Sequence, residues 1–381
     1  MDESVRRLPA PDTLPYLLLT MTALSGEFPA SLVISLPGGA SYKESVVKHL
    51  KRENLLRSYY RDGLRGLRLT ATAKKRLLAD QPERFSDCLT GRSETNMLKS
   101  EVPRRLRLHR MAEVLVTMQN AGVSALPWEK PPLFQPASIL EDDSIECPVY
   151  YSSREVKALG PQSTKIKGSR ATGVLLSDGG IFLTYNTGAA LMKWEYKAEL
   201  RFKALLQMEV CRRLLPAQFA EVPISAIVFG SGMDTMVPLM NPDSGGKHNS
   251  FVLDGNFDHF YFLPSDHRGE VILQLLCEPG LKAALDAILS ENLNANRPGW
   301  LIENDAIEED GSPVLFAYTC DLPRIRRFDT ALELQGRMGT LICFDFQEEA
   351  LRRVCGDRVS LQSIDFGKFE GSVLYPPQKT D

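Results

Sequence analysis

Between Tyr42 and Arg68 the chain gathers eleven side chains suited to holding a polyanion: Tyr42, Lys43, Ser45, Lys48, His49, Lys51, Arg52, Arg57, Arg61, Arg65 and Arg68. Ammonium and guanidinium groups neutralise phosphates and release their counterions, while hydroxyl and imidazole groups can hydrogen-bond to phosphates or base edges. A second group, Asp254, Asp258, His259, Asp266 and His267, falls within fourteen residues. Asp and His so close together can bind a metal or move protons. His259, however, sits with Phe257, Phe260 and Phe262 in a strand-like segment that must expose one face, so a structural or surface role is preferred. The glycine loops at Phe229-Gly-Ser-Gly-Met and Gly245-Gly246-Lys247-His248 lack the remaining residues of a nucleotide fingerprint and read as turns. No serine has a GxSxG setting.

The elements that must position the basic residues are legible. Residues 13–25 are predicted as a first helix, broken at Gly26-Glu27-Phe28-Pro29, and residues 29–36 as a short second one. After Pro37-Gly38-Gly39, Ser41 is expected to cap a third helix, from Tyr42 to about Glu53, with Glu44 completing a capping box. Val46, Val47 and Leu50 form its inner face and the polar residues its outer face. A strand from Leu55 to Tyr60, a turn at Asp62-Gly63 and a returning strand at Leu67–Thr70 make a hairpin. Thr70 and Thr72 then cap a helix at 73–79 bearing Lys74, Lys75 and Arg76. Helix, hairpin and helix in this order have the shape of a winged helix-turn-helix. Its third helix fits a major groove, and the wing arginines Arg57, Arg61, Arg65 and Arg68 can contact phosphates or a minor groove, so the expected partner is double-stranded DNA.

Charge supports a division of labour. Residues 41–110 hold eighteen Lys and Arg against eight Asp and Glu, so residues 1–120 carry +7 and the rest −10, within an overall −3. A basic module on an acidic body suggests a polyanion for one and a different partner, such as a protein, for the other. Seven dispersed cysteines without a CxxC pair or zinc spacing fit free thiols in a reducing compartment. The run YLLLTMTAL is too short to span a bilayer, and no leader pattern begins the chain, so a cytoplasmic protein is expected.

Residues 80–103 read as polar and irregular, and 104–120 as an amphipathic helix bracing the first domain. Prolines 127, 131, 132, 136 and 148, with Glu141-Asp142-Asp143, mark a linker, giving domains at 1–120 and 149–381 joined by 121–148. Beyond it, strands at 173–177 and 181–185 form a hairpin across Asp178-Gly179-Gly180. A long helix is expected from about 189 to 215, then strands at 224–229 and 258–263 and helices near 268–276 and 279–291. A strand at 313–319 precedes a strand–helix–strand unit over 341–364. Strands alternating with helices predict a mixed α/β domain. No internal repeat is visible in the sequence.

Two resemblances follow. Asp178, with Glu195-Tyr196-Lys197 seventeen residues later, is similar to the PD-(D/E)xK pattern of restriction-endonuclease-like enzymes. That likeness implies two carboxylates on Mg²⁺ and a lysine that activates water. The chain departs from it: Ser177 replaces the proline, and Glu195 to Lys197 falls in a helical pattern rather than on a strand. The whole chain resembles the replication–relaxation proteins of plasmids and integrative mobile elements, in which a winged helix precedes a restriction-endonuclease-like domain. The likeness rests on residues 13–80 and, loosely, on 149–230. It implies work at an element's origin in replication, DNA relaxation or their control.

The resulting expectation is a non-enzymatic DNA-binding regulator or accessory factor, with no cofactor, no resident metal and a possible dimeric state. The alternatives are a Mg²⁺-dependent DNA-nicking nuclease using Asp178, Glu195 and Lys197, and a protein-interaction scaffold.

Overall fold

Helix α1 (Leu14–Ser25) is apolar around almost its whole circumference and is buried accordingly, which makes it the centre of the first of two units. A computed structural model describes residues 8–97, 100–135, 144–157, 159, 168–241, 251, 253, 255–295 and 301–374. Pro136, Glu141-Asp142-Asp143, the Gly245–Ser250 loop and Asp254 lie outside these residues. The first unit takes in Met1–Asn120 and Ala125–Lys130, the second Ala121–Ser124 and Pro131–Asp381. Trp128 packs edge-on against Phe85 within the first unit, while Leu133, Phe134 and Ile145 are buried in the core of the second. The proline-rich segment thus contributes packed residues to both units.

In the first unit α1 leads to β1 (Phe28–Pro29), a 3₁₀ turn (Ala30–Ser35) and α2 (Ala40–Arg52). The hairpin β2 (Leu56–Arg61) and β3 (Leu64–Leu69) follows, then α3 (Ala71–Asp80), α4 (Pro82–Leu89) and α5 (Val102–Asn120). The strands form one antiparallel sheet in the order β1-β3-β2. Asp62 and Gly63, at φ 51° and 76°, make the left-handed two-residue turn that matches strand twist. Thr70 caps α3 by accepting from the Ala73 amide at 3.1 Å.

Two local expectations are corrected. Helix α2 starts earlier, with Gly39 as its N-cap, so Ser41 lies inside it and no Ser41–Glu44 capping box forms. The glycine pair already frees the chain to turn there. Residues 82–89, expected to be irregular, are helix α4, which starts at Pro82 and buries Phe85, Cys88 and Leu89.

The second unit is mixed α/β. Strands β4 (Val149–Ser152), β5 (Gly173–Ser177), β6 (Gly180–Gly188), β7 (Ile224–Gly230) and β8 (Phe260–Pro264) form a five-stranded sheet in sequence order. Helix α6 (Ser153–Lys157) links β4 to β5. Helix α7 (Tyr196–Leu206), its π-turn extension (Gln207–Leu214) and α8 (Pro216–Phe219) connect β6 to β7, and α9 (Met236–Met240) follows β7. After α10 (His267–Cys277) and α11 (Pro279–Ser290) comes a second five-stranded sheet, built from β9 (Asn294–Ala295), β10 (Ala306–Ile307), β11 (Pro313–Phe316), β12 (Gly339–Phe344) and β13 (Val359–Ile364). Its connections are α12 (Leu322–Gln335) and α13 (Asp345–Arg352), and α14 (Phe366–Phe369) follows β13.

Both sheets have the same pairing pattern. In each, two antiparallel pairings are followed by two parallel ones, and the parallel strands are joined through helices. The topology therefore repeats where the sequence shows no repeat. The expected long helix from 189 is also shorter than its pattern suggested. Strand β6 runs on to Gly188, and Met192 and Trp194 enter the core before α7 begins.

Candidate nucleic-acid interface

Helix α2 turns Val46 and Leu50 inward. Tyr42, Ser45, Lys48, His49 and Arg52 remain exposed, and Lys43 and Lys51 are half-buried. Ser45 donates its hydroxyl to the Tyr42 carbonyl at 2.7 Å, and Lys43 bonds the Ile34 carbonyl at 2.5 Å, which pins the helix to the preceding turn. Lys48 pairs with Glu44 at 3.0 Å across one helical turn, an exposed contact of little energetic weight. Arg52 Nη2 lies 3.0 Å from His49 Nδ1.

The hairpin register sorts the four arginines at 57, 61, 65 and 68. Arg57 is opposite Arg68, Tyr60 opposite Arg65, and Arg61 opposite Leu64. Because side chains alternate across a strand, Arg65 and Tyr60 lie on one face while Arg57 and Arg68 lie on the other. Arg65 approaches Lys51 of α2, whose ammonium is pushed down by burial and by that guanidinium. Arg57 approaches Lys74 of α3, which is lowered by burial and then by Arg57. Arg61 stays exposed at the turn beside Asp62 at 3.3 Å.

Arg68 must be corrected. It is buried, its Nη2 lies 2.6 Å from Glu27 Oε2, and its guanidinium sits 3.6 Å from the centroid of the Tyr59 ring. It belongs to the interior and leaves the polyanion-facing set. A single clamp of four arginines becomes two like-charged pairs, Lys51 with Arg65 and Arg57 with Lys74, on opposite faces of the hairpin.

What holds this hairpin is a buried carboxylate absent from the residues expected to matter from the sequence. Glu27, fully buried, accepts from Arg68, from Arg105 Nη2 at 2.6 Å and from His109 Nε2 at 2.8 Å. Burial alone would push its carboxyl up, but the bonds from His109, Arg105 and Arg68 outweigh it and hold it at about 2. Arg105, on α5, also donates to the carbonyls of Arg61, Tyr59 and Leu64, satisfying the turn end of the hairpin. A Cβ at Gly66 would lie 2.2 Å from Glu27 Oε1, so only glycine admits the carboxylate at that point on β3. The sequence signal was present: a glutamate in a helix break and a glycine inside a strand.

The acidic unit places its candidates apart. Asp178 sits in the β5–β6 turn, and Glu195 is the N-cap residue of α7 with Lys197 in the first helical turn. Glu199, one turn beyond Glu195, accepts from the Tyr185 hydroxyl at 2.8 Å. Tyr185 is five residues along β6 from Gly180, about 16 Å of strand, so Asp178 lies beside the start of β6 whereas the α7 residue Glu199 bonds a side chain farther along it. These elements do not bring Asp178, Glu195 and Lys197 together.

The Asp/His group is likewise dispersed into structural contacts. His259 Nδ1 lies 2.6 Å from Asp321 Oδ2, and Asp321 also accepts from the Phe260 amide at 3.1 Å, tying β8 to the chain just after β11. Hydrogen bonding to Asp321 raises the His259 pKa against the opposing effect of burial. Asp266 caps α10 through the Arg268 and Gly269 amides. His267 bonds Glu370 at 2.5 Å, while Asp258 contributes its backbone carbonyl to Arg327. A Cβ at Gly230, in the Phe229-Gly-Ser-Gly turn, would lie 2.7 Å from the Phe262 ring, so packing alone accounts for that glycine. Among the described residues no group of three or more His, Cys, Asp or Glu is arranged to hold a metal ion, and no helix is long and apolar enough to cross a membrane.

Comparison with protein-family models, curated proteins and solved structures finds no match to this chain.

Proposed function

We propose that the first unit is a winged helix that binds double-stranded DNA, with α2 entering the major groove and the β2–β3 hairpin lying along the backbone as the wing. The observation that carries this reading is the exposed face of α2, Tyr42, Ser45, Lys48, His49 and Arg52, continued by the Lys51–Arg65 pair. Half-buried Lys51 and exposed Arg65 repel each other, and a polyanion lying across them would relieve that repulsion. The strand order β1-β3-β2 and the helix between β1 and β2 support the same reading. On the resemblance to replication–relaxation proteins, the DNA is that of a plasmid or integrative element, and the chain acts there as a non-enzymatic regulator or accessory factor. The acidic second unit would then contact a protein partner or a second copy.

The test is fluorescence anisotropy of the purified chain with duplex from upstream of its own coding sequence, across a salt series. Neutralising about four phosphates gives a slope of log affinity against log salt near −4, by order of magnitude. Replacing Lys48, Arg52 and Arg65 together by Ala should flatten that slope by about three. Lys368→Ala, an exposed cation of the second unit, should leave the slope unchanged. Absence of binding at low salt, or a slope indifferent to the triple replacement, would overturn the reading.

A further inference from the structure

Five large apolar side chains of the first unit stand more than a third exposed among the described residues: Ile34, Tyr42, Tyr60, Met97 and Leu106. Two of them flank the turn that leads into α2. Ile34, 72% exposed, belongs to the 3₁₀ turn, and Lys43 Nζ donates to its carbonyl at 2.5 Å, which holds it against the first turn of α2. Tyr42, 51% exposed, lays its ring back over that turn, since a Cβ at Gly38 would lie 3.1 Å from Tyr42 Cδ1. Between them in the chain is exposed Ala40, the first residue of α2.

A single exposed apolar side chain is ordinary on a protein surface. Here three apolar groups fall within nine residues at the N-terminal end of a helix whose exposed face is cationic. That end leads a recognition helix into a major groove. A methyl or sec-butyl group cannot neutralise a phosphate, so these side chains add nothing to the electrostatic contact. They suit an apolar group carried by a polyanion. The major groove presents one such group on its base edges, the C5 methyl of thymine.

Resting on the reading of the first unit as a DNA-binding winged helix, we propose that Ile34, Ala40 and Tyr42 form an apolar step that reads thymine methyl groups. This end of α2 selects T·A pairs, while Lys48 and Arg52, farther along the helix, supply contacts to phosphate that carry no sequence information.

Fluorescence anisotropy tests it, with the full chain and the duplex from upstream of its coding sequence made once with thymine and once with uracil at every thymine position. Uracil lacks the methyl and keeps every phosphate and every base-edge donor and acceptor. The thymine duplex is expected to bind tighter by about fourfold for each methyl contacted, the transfer value of one buried methylene. The salt slope should be the same for both duplexes, because no phosphate contact is lost. Ile34→Ala combined with Tyr42→Ala should bring the affinity ratio close to one. Equal affinity of the unaltered chain for the two duplexes, with salt-dependent binding intact, overturns the inference and leaves the DNA reading standing. A thymine preference that survives the double replacement also overturns it, because the methyl is then felt through duplex shape. Failure to bind either duplex at low salt overturns the DNA reading and this inference together. The thymine–uracil contrast is read on the unaltered chain, whether or not the variants fold.

Discussion

Among the described residues each unit buries one glutamate completely, Glu27 in the first and Glu199 in the second, and the two behave in opposite ways. Glu27 is surrounded by Arg68, Arg105 and His109, which hold its carboxyl at about 2. Glu199 is surrounded by the hydroxyls of Tyr185 and Ser169 and the Arg170 amide, at 2.8, 2.8 and 2.9 Å, and burial pushes its carboxyl up. Exposure is 0% for both, so burial does not decide the charge. The partners do: full cations return more than desolvation removes, and neutral dipoles return less. The lesson for the first unit is that its hairpin is positioned by an ion cluster, whereas the second unit anchors α7 to β6 with a carboxyl of raised proton affinity.

The strongest break of this contrast is Glu27→Gln. It leaves two guanidinium groups buried without their counter-charge, and a loss of about 3–5 kcal/mol is expected in denaturant unfolding of the first unit. A loss below about 1 kcal/mol would mean that the cluster is not what holds the hairpin. Gly66→Ala attacks the same cluster sterically. A methyl group 2.2 Å from Glu27 Oε1 should cost about 1–3 kcal/mol, read as a lowered unfolding midpoint with unchanged slope.

Glu199→Gln should be milder, about 1 kcal/mol or less, because an amide keeps the bond from the Arg170 N–H and the two hydroxyls can turn to accept from its NH₂. The pH dependence sharpens the comparison. Glu27 lies below its ordinary 4.5, so its contribution is present above that pH and is lost as pH falls toward about 2. Glu199 lies above 4.5, so its contribution is present below that value and fades as pH rises through the raised one. The stability difference between the natural chain and each Gln variant should therefore change with pH in opposite directions. Parallel curves would erase the distinction.

The smallest expected effect is at His259. Asp321→Asn should move its titration, followed by imidazole NMR, down toward the ordinary 6.5. An unmoved titration would show that a different group sets it.

The elements differ in how legible they are in the sequence. The β2–β3 hairpin was legible because Asp62-Gly63 demands a left-handed turn, and α3 because Thr70 offers a cap to an adjacent helical run. Strand β7 and the β12–α13–β13 unit were legible as apolar runs set apart by helical pattern. The start of α7 was not, because Met192 and Trp194 fit a helical period yet are buried by tertiary packing before the helix begins. Helix α12 has apolar Leu322, Ile325, Phe328 and Leu332 at helical spacing, with arginines among them at 324, 326 and 327. Of the proposed interface, the residue types and the outer face of α2 could be read in advance. The separation of Arg57 from Arg65 and the inward turn of Arg68 could not.

The sequence by itself determined the local elements and the concentration of positive charge between residues 41 and 110, because turns, caps and apolar periodicity act over a few residues. Only the tertiary structure decided which arginines face outward, because Glu27 lies 41 residues from Arg68 and 78 from Arg105. Only it decided that Asp178 and Glu195 stand apart and that the acidic unit builds the same sheet pattern twice. Register and crossover connections join residues far apart in the chain, and no local spacing encodes them.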